Sequence, residues 1–237
     1  MGKGNNYDVF FKKLYNIDRN ILNKIDVIFE IGSRDALDGI TAHKLFNSQQ
    51  THIFECNQEL IQQCKDNIKD VKNIFLCDKA LYNKDNEKIS FCFPVKLPGD
   101  NETWNGMGSL SGKIKKEYWI NTNHPFKDLN NENSGFKTTE VETITLDTYC
   151  SKFNINKIDL ILLDVEGIPL QILNNFENIT DTNVIISEVY YDEIFENGND
   201  TFDEMNSYLE SKNFKCIINE NKNPYFGNAM WINKKIL

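Results

Sequence analysis

Ile158-Asp159-Leu160-Ile161-Leu162-Leu163-Asp164-Val165-Glu166-Gly167 is the stretch on which the fold turns. A short apolar run ends abruptly in Asp-x-Glu-Gly. Such a run reads as a strand buried on both faces, of the kind a parallel sheet contains. Two acids and a glycine at its carboxyl end then stand where open α/β sheets bind their ligands.

Outward from that strand the chain keeps one rhythm. Ile25 to Gly32 is an apolar strand closing in glycine, and 36–48 suit a helix. Thr51 to Cys56 reads as a second strand, 58–69 as a second helix, and Asn73 to Asp78 as a third strand. Strand and helix in alternation argue for a parallel sheet with right-handed crossovers. Beyond Gly167, Pro169 falls where a first helical turn tolerates it, and 168–177 reads as helix. Asn183 to Val189 is a further strand. The segment 200–212 places Phe202, Met205, Tyr208 and Leu209 on one helical face. Phe214 to Ile218 and Ala229 to Ile232 form a closing antiparallel pair around Asn223-Pro224. The expected architecture is a three-layer α/β fold: a mostly parallel sheet, helices on both faces, and one antiparallel strand near the C-terminus.

Residues 1–24 read as a helical lead-in, with Phe10, Phe11, Leu14, Tyr15 and Ile17 at helical spacing. Residues 25–237 read as a single domain. Within it, 94–137 changes character. It holds Pro94, Pro98, Pro125, five glycines and many asparagines. A connection of that length in a compact domain predicts a functional loop or lid, with a short helix at 113–120. Alternating patterns at 87–93 and 138–146 predict strands on either side of it, and 147–153 suits a helix.

The bulk numbers exclude several classes. The 237 residues are 40% hydrophobic and 26% charged, as in an ordinary water-exposed domain. No apolar run approaches the ~20 residues that span a bilayer. Met1 to Asn6 carry no apolar signal core, which predicts a cytoplasmic protein. The net charge is −9, whereas a partner of nucleic-acid backbone carries a basic face. Lys113-Ile114-Lys115-Lys116 is one short basic cluster. A neutral small acceptor therefore fits better than a polynucleotide. The six cysteines include no Cys-x-x-Cys pair and read as free thiols, so no zinc site is expected. Asp164, Glu188 and Asp192 could form an oxygen-rich magnesium site, but nothing in their spacing demands one, and no metal is expected.

Four strand ends carry the candidate chemistry. At Glu30-Ile31-Gly32-Ser33-Arg34-Asp35 a glycine lets a ligand approach the backbone, and the next helix offers its amides. The run is not Gly-x-Gly-x-x-Gly, and Glu30 would repel a pyrophosphate, so a dinucleotide fold is disfavoured. At Phe54-Glu55-Cys56-Asn57 the acid can accept both hydroxyl hydrogens of a ribose, with Asn57 as the alternative helix cap. At Cys77-Asp78-Lys79-Ala80, Asp78 can accept from an adenine amino group or be a plain turn residue. At Asp164-Val165-Glu166-Gly167, Asp164 stands at the reacting centre, while Glu166 either joins the chemistry or caps the helix that follows. Of the three histidines, His43 and His52 read as ordinary helix and strand residues. His124, in the 94–137 loop, is the one placed for substrate contact.

With these residues assembled, the chain resembles the FkbM family of S-adenosylmethionine-dependent methyltransferases from about Asp26 to Phe214. The strongest block is Val141-Glu142-Thr143-Ile144-Thr145-Leu146-Asp147, followed by the Ile158–Gly167 run and Leu173-Asn174. Phe54-Glu55-Cys56-Asn57 and Ala80-Leu81 match as well. The resemblance implies a class I, Rossmann-like methyltransferase sheet of six parallel strands and one antiparallel strand. It implies S-adenosyl-L-methionine as donor, S-adenosyl-L-homocysteine as product, and a hydroxyl acceptor on a small molecule, sugar or glycan. It carries over cofactor roles for Glu30, Gly32, Ser33 and Arg34 at the first turn. Glu55, Cys56 and Asn57 fall at the ribose, Asp78, Lys79 and Ala80 near the adenine, and Asp164 beside the methyl group. One departure stands at the first turn, where the family shows Asp-(apolar)-Gly-Ala-Asn-x-Gly. Arg34 replaces that Asn, and a guanidinium there could pair with the donor's carboxylate.

Methyl transfer to oxygen needs the hydroxyl held at ~3 Å and in line with the methyl group, and a base for its proton. Asp164 is the expected base or orienting acceptor, with Glu166 or His124 as substitutes. The alternatives are a nucleic-acid 2′-O-methyltransferase, a fold relative that binds the donor without catalysis, and a nicotinamide oxidoreductase. The acidic charge, the retained Glu55 and Asp164, and the missing glycine fingerprint speak against them in turn. The sequence leaves the oligomeric state open.

Overall fold

The computed structural model describes residues 7–17, 25–95, 106–123 and 135–237. Its centre is a seven-stranded sheet. In chain order the strands are β1 (Val27–Ile31), β2 (Gln50–Phe54), β3 (Ile74–Cys77), β7 (Leu160–Leu163), β8 (Val184–Tyr190), β9 (Phe214–Asn221) and β10 (Phe226–Asn233). Across the sheet their order is β3-β2-β1-β7-β8-β10-β9. Neighbours from β3 to β8 pair in parallel, and β10 is antiparallel to both β8 and β9. Strand β9 thus runs with the parallel set, and β10 is the reversed strand that the sequence predicted.

The apolar run of β7 explains why it is central. Leu160, Ile161, Leu162 and Leu163 are all fully buried, because alternate side chains enter two different cores. Ile161 and Leu163 join Phe29, Ile31, Ile185 and Trp231 on one face, against Tyr149, Ile172 and Leu209 from α5 (Leu146–Phe153), α6 (Pro169–Leu173) and α7 (Phe202–Ser211). Leu160 and Leu162 join Ile28, Val184, Ile186 and Met230 on the other, against α1 (Asp8–Ile17) and α2 (Leu37–Phe46). Phe10, Phe11 and Leu14 of α1 are at most 1% exposed. Each such side chain contributes roughly 1.5–3 kcal/mol of transfer free energy, so α1 is part of a layer.

The helix predicted over 168–177 is shorter than expected. It ends at Leu173 and is followed by a 3₁₀ turn at Glu177–Asp181. The cap of α6 also comes from a distance: the Leu170 N–H donates to Asp200 Oδ2 at 2.7 Å. Helix α3 (Ile61–Ile68) begins later than 58, after a turn in which the Glu59 N–H donates to Asn57 Oδ1.

A second, three-stranded sheet stands beside the first, with β4 (Ala80–Leu81) parallel and β5 (Lys88–Pro94) antiparallel to β6 (Phe136–Ile144). The described part of 94–137 is more structured than a lid. Ser109 exchanges backbone hydrogen bonds with Cys92 at 2.8 and 2.9 Å and also bridges to Glu166. Helix α4 (Lys116–Asn121) follows, and Lys115 N–H donates to the Ile194 carbonyl. The stretch 106–121 is therefore a strap tied to the small sheet, to the end of β7 and to the chain after β8. All six cysteines are free thiols. Among the described residues, no helix is long and apolar enough to cross a membrane.

Candidate active site at the carboxyl edge of the sheet

The register of the parallel strands builds the site. Cys77, Phe54, Ile31, Leu163 and Ser187 lie side by side across β3, β2, β1, β7 and β8. The next position on each strand is Asp78, Glu55, Gly32, Asp164 and Glu188. Four acids and a glycine thus form one row, one step past the last residues paired in parallel. Gly32 is the close point of that row. Its φ is +81°, and a Cβ built there would overlap the Asp164 carbonyl oxygen. Both conditions require glycine.

The first turn is held by side chains that replace missing partners. The N–H groups of Gly32 and Ser33 both donate to the Phe54 carbonyl, and Ser33 Oγ accepts from Ala36 N–H at 2.7 Å. Arg34 and Ala36 stand at φ +56° and +65°, a conformation costing roughly 1–2 kcal/mol each outside glycine. Arg34 N–H donates to Glu55 Oε2 at 2.8 Å, and the Arg34 guanidinium pairs with Asp35 at 3.0 Å. Glu30 lies behind the turn, where Oε2 accepts from Gly39 N–H at 2.8 Å. Burial, then Asp38, holds its carboxyl well above the ordinary range.

Glu55 is clamped by two amides, from Arg34 and from Asn57 at 2.6 Å. Each carboxylate oxygen keeps a second lone pair for a ligand hydroxyl. Burial raises its pKa, and the amides of Asn57, Arg34 and Cys56 offset that rise. Gly32, Glu55, Cys56, Lys79 and Ala80 line one cavity, together with Asp164 and Glu166 on its far side. Gly106, Gly108 and Ser109 of the strap line it too, and Phe54, Leu81 and Ile172 give it an apolar wall. Ser33, Arg34 and Asn57 support the lining from the turns. Asp78 is exposed and is not in the lining. Lys79 forms an ion pair with Glu142. His124 lies outside the described residues.

The far side has a different construction. Glu166 does not reach the helix that follows it. Its carboxylate takes the hydroxyl of Tyr190, and the same hydroxyl lies 2.7 Å from Glu188 Oε2. Ser109 Oγ donates to the Glu166 carbonyl at 2.6 Å. Burial first, then Asp164, pushes the Glu166 carboxyl up to about 7. Burial, then Glu166 and Asp164, puts Glu188 well above the ordinary range. Burial, then Asp164 and Asp35, pushes Asp38 up to about 7. Tyr7, just before α1, is 1% exposed and its hydroxyl has no hydrogen-bond partner among the described residues. The charges acting on that hydroxyl are Asp164, Glu188, Asp38 and Glu30.

Sequence reasoning placed Asp164 and Glu166 together but missed Tyr7, Ser109 and Tyr190, and weighed Glu188 only as a metal ligand. One signal was available. Glu188 and Tyr190 are two apart on a strand, and so share the face on which Asp164 also ends. His52 is a core residue. Its Nδ1 lies 2.9 Å from the Tyr149 hydroxyl, and burial lowers its pKa to about 4.

The row can hold a cation beside Asp164, a diol at Glu55 and an apolar ring against Leu81 and Phe54. The profile of the methyltransferase FkbM domain matches residues 30–216. The 2-O-methyltransferase NoeI of Sinorhizobium fredii (strain NBRC 101917 / NGR234) is 27% identical over 182 residues, 75% of this chain and 69% of that protein. Among solved structures, the Methanococcus jannaschii fibrillarin pre-rRNA processing protein is similar over 98% of this chain and 76% of its own, at 12% identity and TM-score 0.49. A ribosomal protein L11 methylase from Lactobacillus delbrueckii subsp. bulgaricus covers 98% and 81%, at 11% identity and TM-score 0.47.

Proposed function

The chain belongs to the FkbM family of methyltransferases, and from that premise we propose that it moves a methyl group from S-adenosyl-L-methionine to a hydroxyl of a small molecule, sugar or glycan. The observation that carries the reading is the row Glu55, Gly32, Asp164, Glu188 along the strand ends. The donor is a cation with a diol at one end, and the residues fit it. Gly32 leaves the space that a Cβ would fill. Glu55 has lone pairs for the ribose hydroxyls. The acids around Asp164 stabilise a sulfonium and would repel a phosphate. The name of the relative NoeI, a 2-O-methyltransferase, supports oxygen as the acceptor atom.

When bound, the donor supplies an activated methyl group. The chain's own residues do the rest. Glu55 fixes the ribose, the apolar wall of Phe54, Leu81 and Ile172 receives the base, and Cys56, Lys79 and Ala80 border it. Asp164 holds the acceptor hydroxyl toward the methyl group, and a carboxylate at the end of β7 takes the proton. The strap at 106–110 covers the cavity and excludes water, which would otherwise compete as acceptor.

The test is direct. The protein is incubated with methyl-labelled donor and a panel of sugar nucleotides, free glycans and RNA. Label is expected on the oxygen of a carbohydrate-type acceptor and not on RNA. Label on RNA, or donor binding without transfer to any acceptor, would replace this reading by one of its alternatives.

A further inference from the structure

The proton count at the far side of the cavity is uneven. Tyr190 has one hydroxyl proton, yet its oxygen lies within hydrogen-bond distance of both Glu166 and Glu188. A carboxylate only accepts. For both contacts to be hydrogen bonds, one carboxyl must carry a proton of its own and donate to the Tyr190 oxygen. A chain of donors follows: Glu188 to Tyr190, and Tyr190 to Glu166. The cluster is placed for ligand contact. Glu166 lines the same cavity as Gly32, Glu55 and Asp164. Nearby, the buried Tyr7 hydroxyl, without a hydrogen-bond partner among the described residues, lies in the field of Asp164 and Glu188.

We propose that Glu166, Tyr190 and Glu188 share one exchangeable proton in the resting enzyme, and that entry of the cationic donor expels it, leaving Glu166 to take the acceptor's proton. The proposal rests on the donor reading above. A sulfonium beside Asp164 favours ionised neighbours, so the shared proton leaves to solvent. In the transfer, a lone pair of the acceptor oxygen forms the new bond to the methyl carbon. The carbon–sulfur pair stays on sulfur, the O–H pair stays on oxygen, and the proton passes to Glu166. Charge balances, since a sulfonium and a carboxylate become a thioether and a carboxylic acid. Glu166 is then the catalytic base, whereas Tyr190 and Glu188 position it and set its affinity for the proton.

The groups facing this cluster are Asp164 from β7, Tyr118 from α4, Lys222 from the β9–β10 turn, Tyr225 beside Tyr118, and Tyr7 just before α1. Lys222 favours ionised acids and Asp164 opposes them. Asp38 also titrates near 7 beside Asp164 and must be separated from the cluster.

Calorimetry needs no acceptor and separates them. S-adenosylmethionine and S-adenosylhomocysteine are titrated into the full chain at pH 7 in phosphate and in Tris, whose ionisation enthalpies differ, so that the slope counts protons. The sulfonium is expected to release a substantial fraction of a proton and the neutral thioether almost none. E188Q and Y190F should lower the sulfonium's count by at least half, while D38N leaves that part in place. Equal counts for the two ligands, or a count unchanged in E188Q and Y190F, would overturn the proposal. If neither ligand binds the wild type, the donor reading itself fails, and the proposal with it.

Discussion

The two halves of the carboxyl edge hold their acids in opposite ways. On the β1–β2 side, Glu55 and Glu30 are gripped by backbone amides, from Arg34 and Asn57 in one case and Gly39 in the other. On the β7–β8 side, Glu166 and Glu188 face one tyrosine hydroxyl and each other. Burial raises the affinity for protons in both halves. Amides then offset it at Glu55, whereas neighbouring acids add to it at Glu188. An acid held by fixed amides keeps its place, which suits binding. Acids held by one another exchange protons, which suits chemistry.

The contrast can be broken most sharply at Glu166. E166Q keeps the shape and removes the proton acceptor, so turnover on an identified acceptor should fall ~10²–10⁴-fold while affinity for the neutral S-adenosylhomocysteine by calorimetry stays nearly unchanged. An equal loss in that affinity would erase the distinction between the halves. On the other side, Gly32→Ala should weaken both halves at once, because the strand ends touch there. A clash with the Asp164 carbonyl and a left-handed φ together predict a loss of about 3 kcal/mol in chemical denaturation, with donor binding abolished. Glu55→Gln should cost donor affinity about 10-fold, a loss shared by S-adenosylhomocysteine because both carry the ribose, and should leave the pH profile of turnover unmoved.

The smallest effect is on stability against pH. Glu166 binds its proton more tightly in the fold than its ordinary value of 4.5 allows. The folded state therefore holds more protons than the unfolded chain between about pH 4.5 and 7, and stability falls as pH rises through that window. His52, lowered to about 4, works the other way, raising stability as pH climbs from about 4 to the ordinary histidine range. Thermal melts of E166Q should show a gain over wild type at pH 8 that shrinks toward pH 5. A gain of the same size at both pH values would point to packing instead of titration.

Much of the β1–β2 half was legible because its logic is local. Gly32 follows β1, Glu55 follows β2 and Asn57 opens the next turn, all within a few residues of a strand that its apolar pattern reveals. The far half was only partly legible. Glu166 sits three residues past β7, where a cap for the next helix is the ordinary reading, and it was Asp200, thirty positions beyond Leu170, that took the Leu170 amide instead. Tyr190 meets Glu166 across 24 positions. Tyr7, whose hydroxyl lies in the field of Asp164 and Glu188, precedes a helix that the pattern marked only as a lead-in. The strap at 106–121 is patterned only over its short helix, and the order of the rest comes from Cys92, Glu166 and Ile194.

By itself, then, the sequence determined the rhythm of the sheet, its central strand and the acids at the strand ends, because burial on two faces and helical spacing are written in neighbouring residues. Only the tertiary structure decided which acids meet. Register across β2, β1, β7 and β8 sets Glu55, Gly32, Asp164 and Glu188 in a row, and a shared proton depends on oxygen atoms brought together by strands far apart in the chain.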